Sequence, residues 1–275
     1  MKVSHEPATR LWRNRNKTPS VLSPVAERIS FDRVADVYDE TRGLPPRVLA
    51  KAAGFLAKEL QGKRVLEIGV GTGRIAVPLQ KSGINLVGID IAPQMVAHGR
   101  EKGLRSVVFA DGARLPFRDR TFDAATSNHV LHLVADWKNV LREVERILRP
   151  DGVYFTIFEH SVSSVSPHER YRTIVQSLGW ARTHPGLHER DFPKFVPPAR
   201  LAHVTHHDAQ VPADRILESL QQRLFAFMWK IPDDIHARTM DLLRQELGGT
   251  TLDRSFDLEV AYWTRPLVGK LASAP

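Results

Sequence analysis

Val65-Leu66-Glu67-Ile68-Gly69-Val70-Gly71-Thr72-Gly73-Arg74 is the stretch on which the fold turns. A short apolar run enters three glycines at alternate positions and leaves into Ile75–Gln80, which reads as a helix. Glycines at such a turn let the backbone double back and approach a ligand where a Cβ would collide. The start of the following helix offers backbone N–H groups that have no intrahelical partner. Taken alone, the pattern is shared by several classes of nucleotide-cofactor protein, and it also occurs as a plain turn.

Outward from this turn, short apolar runs alternate with helical stretches. Val65–Ile68, Leu86–Ile89, Val107–Phe109, Ala124–Thr126 and Val153–Phe158 are predicted strands, and their unbroken apolarity suits a parallel sheet covered on both faces. Trp137, Val140, Leu141, Val144 and Leu148 trace one helix face, with Asp136 placed as N-cap. Upstream, Val25–Thr41 and Pro46–Leu60 read as helices, the second with Leu49, Ala52, Leu56 and Leu60 on one side. The alternation predicts an α/β fold, a Rossmann-like doubly wound sheet. Beyond His160 the rhythm is lost. His168–Leu178, Asp214–Phe227 and Asp233–Leu247 read as helices, Leu201–His207 as a half-exposed strand and Phe256–Thr264 as a closing strand. The expected organisation is a basic, disordered tail at 1–24, N-terminal helices covering a ligand at 25–60 and a core at 61–160. It continues with a cap insertion at 161–198, a core strand in 199–211, a helical cap insertion at 212–250 and a last core strand in 251–275.

Three acids choose the ligand. Asp90 ends the second strand, where a carboxylate can accept hydrogen bonds from both hydroxyls of an adenosine ribose. NAD enzymes use the same device, so Asp90 points to adenosine without choosing a cofactor. Asp111, in Phe109-Ala110-Asp111-Gly112, ends the third strand, where it can accept from an adenine amine. Glu67 stands two residues before the first glycine, near where the amino-acid end of a ligand would lie. An anionic pyrophosphate gains nothing from an acid there, whereas a zwitterionic sulfonium does. The choice falls on S-adenosylmethionine.

Residues from about 28 to 160 resemble the class I S-adenosylmethionine-dependent methyltransferases, specifically the small-molecule group of type 11. The resemblance rests on Glu67–Gly73, on Gly88–Asp90 with Pro93 and Met95, and on Ala110-Asp111-Gly112 with Leu115-Pro116-Phe117. Phe122-Asp123 with Ser127-Asn128-His129, and Leu148-Arg149-Pro150-Asp151-Gly152, complete it. It implies a seven-stranded sheet whose last strand is antiparallel, with helical cap insertions. It implies a cofactor held by Glu67, Gly69, Gly71, Gly73, Asp90, Ala110, Asp111 and Gly112. Ile91 and Met95 would flank the adenine, and Asn128 would face the methionine end. Phe31–Arg42 resembles the family's covering helix, which implies Tyr38 over the sulfonium and Arg42 against the carboxylate. The alternative is that Tyr38 packs as core and Arg42 is solvated. Ala92 departs from the family's usual Ser or Thr cap, a loss of ~1 kcal/mol, and Asp151 replaces a more usual glycine.

Methyl transfer from a sulfonium is an SN2 displacement in which alignment in a dry site supplies most of the acceleration. A general base is needed only when the acceptor starts protonated. His129 and His132 are the candidate catalytic residues, and a supporting, hydrogen-bonded histidine is the alternative reading. His203, His206 and His207 cluster among 12 histidines. On a regular strand His203 and His207 share a face and His206 takes the other, so no metal is expected. Trp180, Phe192, Phe195, Leu224, Phe225, Phe227, Met228 and Trp229 suit either an acceptor pocket or packing within the cap.

The chain has 275 residues and no cysteine, which excludes disulfides, thiolate metal sites and methylation through a cysteine adduct. Its net charge of +8 invites a nucleic-acid partner. Part of the excess sits in the tail, where Lys2, Arg10, Arg13, Arg15 and Lys17 face Glu6 alone. No RNA-binding module is visible, and residues 127–130 read Ser-Asn-His-Val rather than the Pro-Pro-aromatic signature of exocyclic-amine nucleic-acid methylation. No apolar run approaches the ~20 residues of a membrane span, so no membrane partner and a cytoplasmic location are expected. The function expected is methyl transfer to the O, N or C of a small-molecule acceptor. An RNA-modifying methyltransferase and a non-catalytic S-adenosylmethionine-binding scaffold are the rivals.

Overall fold

Strand pairing around the glycine turn sets the architecture. In the computed structural model, which describes residues 30–42 (Arg42 by its backbone alone), 44–161, 166–180 and 185–274, β1 (Arg64–Ile68) lies at the centre. β2 (Asn85–Asp90) and β3 (Val107–Phe109) follow on one side of it, and β4 (Phe122–Ser127) and β5 (Leu148–Ser161) on the other, all parallel. β6 (Arg200–His207) forms the far edge. β7 (Gln210–Pro212) and β8 (Thr251–Asp253) make a separate two-stranded ribbon. β9 (Phe256–Thr264) inserts between β5 and β6, antiparallel to both, giving the order β3-β2-β1-β4-β5-β9-β6. The doubly wound seven-stranded sheet with an antiparallel last strand is therefore present.

Helices cover both faces. α1 (Tyr38–Arg42), α2 (Pro46–Glu59), α3 (Ala76–Lys81), α4 (Pro93–Glu101) and α5 (Trp137–Ile147) belong to the first half of the chain. α6 (Pro167–Ser177), α7 (Phe192–Phe195), α8 (Ala213–Gln221), α9 (Asp233–Leu247) and α10 (Arg265–Ala272) follow. Successive β1 residues face opposite ways, as strand geometry requires. Leu66 packs with Leu141, Val144, Trp263 and Leu271, and Val65 with Leu56, Leu79 and Phe155. Each such side chain removed from water contributes ~1.5–3 kcal/mol. Tyr171, Leu217, Leu220, Met240 and Leu243 form a further apolar cluster joining α6, α8 and α9.

Several expectations are corrected. The tail at 1–24 and residues 25–29 of the first predicted helix lie outside the described residues. The remainder of that helix is a 3-10 helix, Asp32–Val37, running into α1. Its three-residue turn puts Asp32, Ala35 and Tyr38 on one side, where Ala35 and Tyr38 meet Ala92 and Met95 of the α4 start. Asp136 occupies the N-cap position of α5 without a side-chain capping bond. α8 stops at Gln221, because Arg223 takes a left-handed φ of 51°. β6 ends at His207 as the sequence pattern has it, and α10 follows the last strand within 251–275. In β6 a register shift between His203 and Thr205 reverses the expected facing. His206 Nδ1 and His203 Nδ1 approach the same Asp257 Oδ1, at 2.8 and 3.7 Å.

Candidate functional site

The turn after β1 is cross-linked to β2 by its backbone. Ile89 O accepts from Gly69 N (2.8 Å) and Val70 N (2.9 Å), and Asp90 Oδ2 accepts from Gly71 N at 2.7 Å. Gly69 and Gly71 hold φ of 69° and 51°, a region that a side chain disfavours. A Cβ on Gly69 would lie 2.3 Å from Val130 Cγ2, and one on Gly71 3.1 Å from Met95 Cε. Two loops and a helix thus close on backbone alone.

Above this turn opens a cavity of about 360 Å³. Tyr38, Glu67, Gly69, Gly71, Asp90, Ile91, Met95, Ala110, Asp111, Gly112, Asn128 and His129 all line it. Gly73 does not: its left-handed backbone is tucked against Val77, whose Cγ2 would lie 2.7 Å from a Cβ there. The Arg42 side chain lies outside what the structure describes. None of the eight aromatic and apolar residues expected for an acceptor pocket lines this cavity. Phe192 packs instead in the main core beside Tyr154 and Trp263.

Each acid has a distinct environment. Glu67 is 4% exposed, and its Oε2 has no hydrogen-bond partner among the described residues. Burial pushes its carboxyl up to about 8, against the opposing pull of Arg74 and with a further push from Asp90. Asp90 Oδ1 accepts from Ile91 N (2.7 Å) and Ala92 N (2.9 Å), so with Gly71 three backbone N–H groups hold this carboxylate. Burial raises its pKa and those three donors moderate the rise. Asp111 Oδ1 accepts from Ala113 N at 2.9 Å.

A cover lies over the cavity. Phe31 meets Tyr38 edge-on at 5.7 Å, and the Arg74 guanidinium carbon lies 5.5 Å from the Tyr38 ring centre. Thr72 Oγ1 donates to Asp39 Oδ1 at 2.6 Å, and Lys102 pairs with Asp39. Asp32 Oδ1 accepts from Gln94 N at 2.9 Å, supplying from outside the helix the cap that Ala92 lacks. Phe31 and Arg33 also meet the Trp229 ring, at 5.2 and 4.7 Å.

Beyond β4, Asn128 turns its amide toward the sheet, accepting from Ile157 N at 3.0 Å and donating to Thr126 Oγ1 at 3.2 Å. His129 is exposed at the cavity wall with a left-handed φ of 58°. His132 is removed from the cavity because Leu131–Leu133 coil into a 3-10 turn. It is 9% exposed, stacks on His188 at 4.2 Å, and its Nδ1 lies 4.0 Å from Glu189 Oε2, an ion-pair separation. A base role for His132 therefore has no route to the cavity. Glu189 itself escaped the sequence reading. It is 5% exposed; burial raises its carboxyl, but His132 and the N–H groups of Leu131 and Val130 outweigh that and hold it at about 2. Among the described residues, no group of three or more His, Cys, Asp or Glu is placed to hold a metal ion, and no helix is long and apolar enough to cross a membrane.

Residues 66–156 match the family described as "Methyltransferase domain", type 11. Over 126 residues the chain is 36% identical to the demethylmenaquinone methyltransferase of Corynebacterium kroppenstedtii, covering 44% of this chain and 55% of that one. Over 125 residues it is 31% identical to a biotin biosynthesis bifunctional protein of Cellvibrio japonicus, covering 45% and 25%. The chain thus spans about half the length of the curated relative it matches first. A solved structure from Anaeromyxobacter dehalogenans, described as a candidate type II methyltransferase, shares the fold at a TM-score of 0.54 and 15% identity, covering 78% of this chain and 96% of that one.

Proposed function

We propose that this chain binds S-adenosylmethionine in the cavity above the glycine turn and catalyses transfer of its methyl group to a small-molecule acceptor. The observation that carries this reading is Glu67, a buried carboxyl with an unpartnered oxygen on the wall of a cavity beside a glycine cradle. A buried carboxyl oxygen without a partner is costly, and a ligand ammonium would pair with it and favour its ionised form. A dinucleotide's pyrophosphate would not.

Bound there, S-adenosylmethionine supplies an electrophilic methyl group on a sulfonium. Glu67 accepts from the α-ammonium, and Arg74, on the same wall, pairs with the carboxylate together with Arg42. Asp90 accepts from the ribose while organising the turn, Asp111 accepts from the adenine amine, and Ile91 and Met95 flank the base. Tyr38 covers the sulfonium end and excludes water. Asn128 holds the wall between β4 and β5 rather than reaching the ligand. His129 takes the proton when the acceptor enters as a hydroxyl.

Incubation with methyl-labelled S-adenosylmethionine and a panel of metabolites, in parallel with bulk tRNA, tests the reading. Label entering a small molecule supports it. Label entering tRNA alone would transfer the proposal to an RNA acceptor, and binding without transfer to any acceptor would favour the scaffold.

A further inference from the structure

The strand β4 ends in a loop, Asn128–Leu133, that forms one wall of the cavity, and something must hold that loop in place. Two backbone N–H groups in it, Val130 N and Leu131 N, point away from any strand or helix partner. Both donate to Glu189 Oε1, at 3.0 Å each. Ser127 Oγ donates to the same oxygen at 3.0 Å and lies 2.6 Å from Tyr154 Oη. Glu189 belongs to the segment between α6 and α7, about sixty residues along the chain, and it does not line the cavity.

That segment is fitted closely under the loop. Gly186 N donates to His132 O at 3.0 Å, and a Cβ on Gly186 would fall 2.0 Å from Leu131 O. His188 stacks on His132. On the other side of the loop, Val130 sits against Gly69, and His129 keeps its left-handed backbone. Non-glycine residues keep such a conformation only where their surroundings over-determine it. The N–H donors of Val130 and Leu131, in the two peptides that follow His129, are what the Glu189 carboxylate fixes.

We propose that Glu189 is a positioning residue for the site: its carboxylate clamps Val130 and Leu131, and so seats Val130 on the glycine turn and His129 at the cavity wall. The docking of the 185–196 segment and the formation of the cofactor cavity are then a single event. This rests on the cofactor reading above, and the test separates the two.

The probe is S-adenosylhomocysteine, with calorimetry for affinity and amide hydrogen exchange of the full chain for the loop. In the unmodified protein the ligand is expected to slow exchange both in 128–133 and in 186–192, although the latter segment lines no part of the cavity. Glu189→Gln, which keeps shape but loses charge, is expected to lower affinity about tenfold or more and to speed exchange in 128–133. Glu189→Asp should fall between. Tyr171→Phe, which removes the hydrogen bond to His236 inside the α6–α9 cluster, is a control for plain destabilisation. It should lower the melting temperature and leave affinity unchanged. Ligand binding that leaves 186–192 unprotected overturns the inference even if Glu189→Gln fails to fold. So does a folded Glu189→Gln that binds as tightly as the parent. If the unmodified protein gives no heat with S-adenosylhomocysteine, the cofactor reading is what fails.

Discussion

Asp90 Oδ2 accepts the backbone N–H of Gly71 at 2.7 Å, tying the end of β2 to the middle glycine of the turn after β1. The same carboxylate holds Ile91 N and Ala92 N through its other oxygen. Its removal therefore costs both a ligand contact and the shape of the turn. Asp111 Oδ1 accepts from Ala113 N. With hydrogen bonds to charged groups worth ~1.5–3 kcal/mol each, Asp90→Ala should weaken S-adenosylhomocysteine binding by about 30-fold or more. Asp111→Ala should weaken it clearly less. Calorimetry on both variants measures this, and equal losses would mean that the ribose is held elsewhere.

Glu67 makes binding and stability depend on pH. Its folded-state pKa of about 8 lies above the ordinary value of 4.5. Between those values the folded chain binds more protons than the unfolded one, so this group makes stability fall as pH rises through the window and level off above 8. Glu67→Gln should flatten that part of the stability profile. A ligand cation favours the carboxylate, so S-adenosylhomocysteine affinity should climb as pH is raised toward about 8, with proton release. Affinity that is flat from pH 6 to 8 in the parent protein would remove Glu67 from the ammonium site.

Glu189 works with the opposite sign. Held at about 2, below the ordinary 4.5, it contributes stability that is fully present above pH 4.5 and lost as pH falls toward 2. The contribution is of the order of 3 kcal/mol. Acid unfolding followed by circular dichroism should show the parent losing its advantage over Glu189→Gln across that window. A constant difference between them down to pH 2 would contradict the ionised clamp.

Gly69 and Gly73 look alike in the sequence and differ in the structure. A methyl group at Gly69 strikes Val130 across the cavity wall, whereas one at Gly73 strikes Val77 inside the α3 packing. Gly69→Ala should lose cofactor affinity out of proportion to its change in melting temperature. Gly73→Ala should lower the melting temperature, with binding falling only as the fold does. Thermal melts and calorimetry on the pair distinguish these outcomes.

Those glycines illustrate what could be read in advance. Apolar runs such as Leu86–Ile89 and Val107–Phe109 marked strands, although β3 at the sheet edge leaves Phe109 exposed, and β3 and β9 end where the pattern ends. Acids at strand ends were legible because a strand's direction says where its last side chain stands. Facing within β6 was not, because the bulge beside Val204 depends on pairing with β9. α10 carries a readable start, Pro266 in its first turn. His132 left the cavity through a local 3-10 turn with no sequence signature. Glu189 has no local signal either: its role arises from contacts about sixty residues back in the chain.

The most direct measurement is calorimetric titration of the full chain with S-adenosylhomocysteine and, separately, with NAD. Heat with micromolar affinity for the first and none for the second is the expected result. Binding of NAD, with no heat from S-adenosylhomocysteine, would contradict the assignment of the cavity to a zwitterionic sulfonium cofactor.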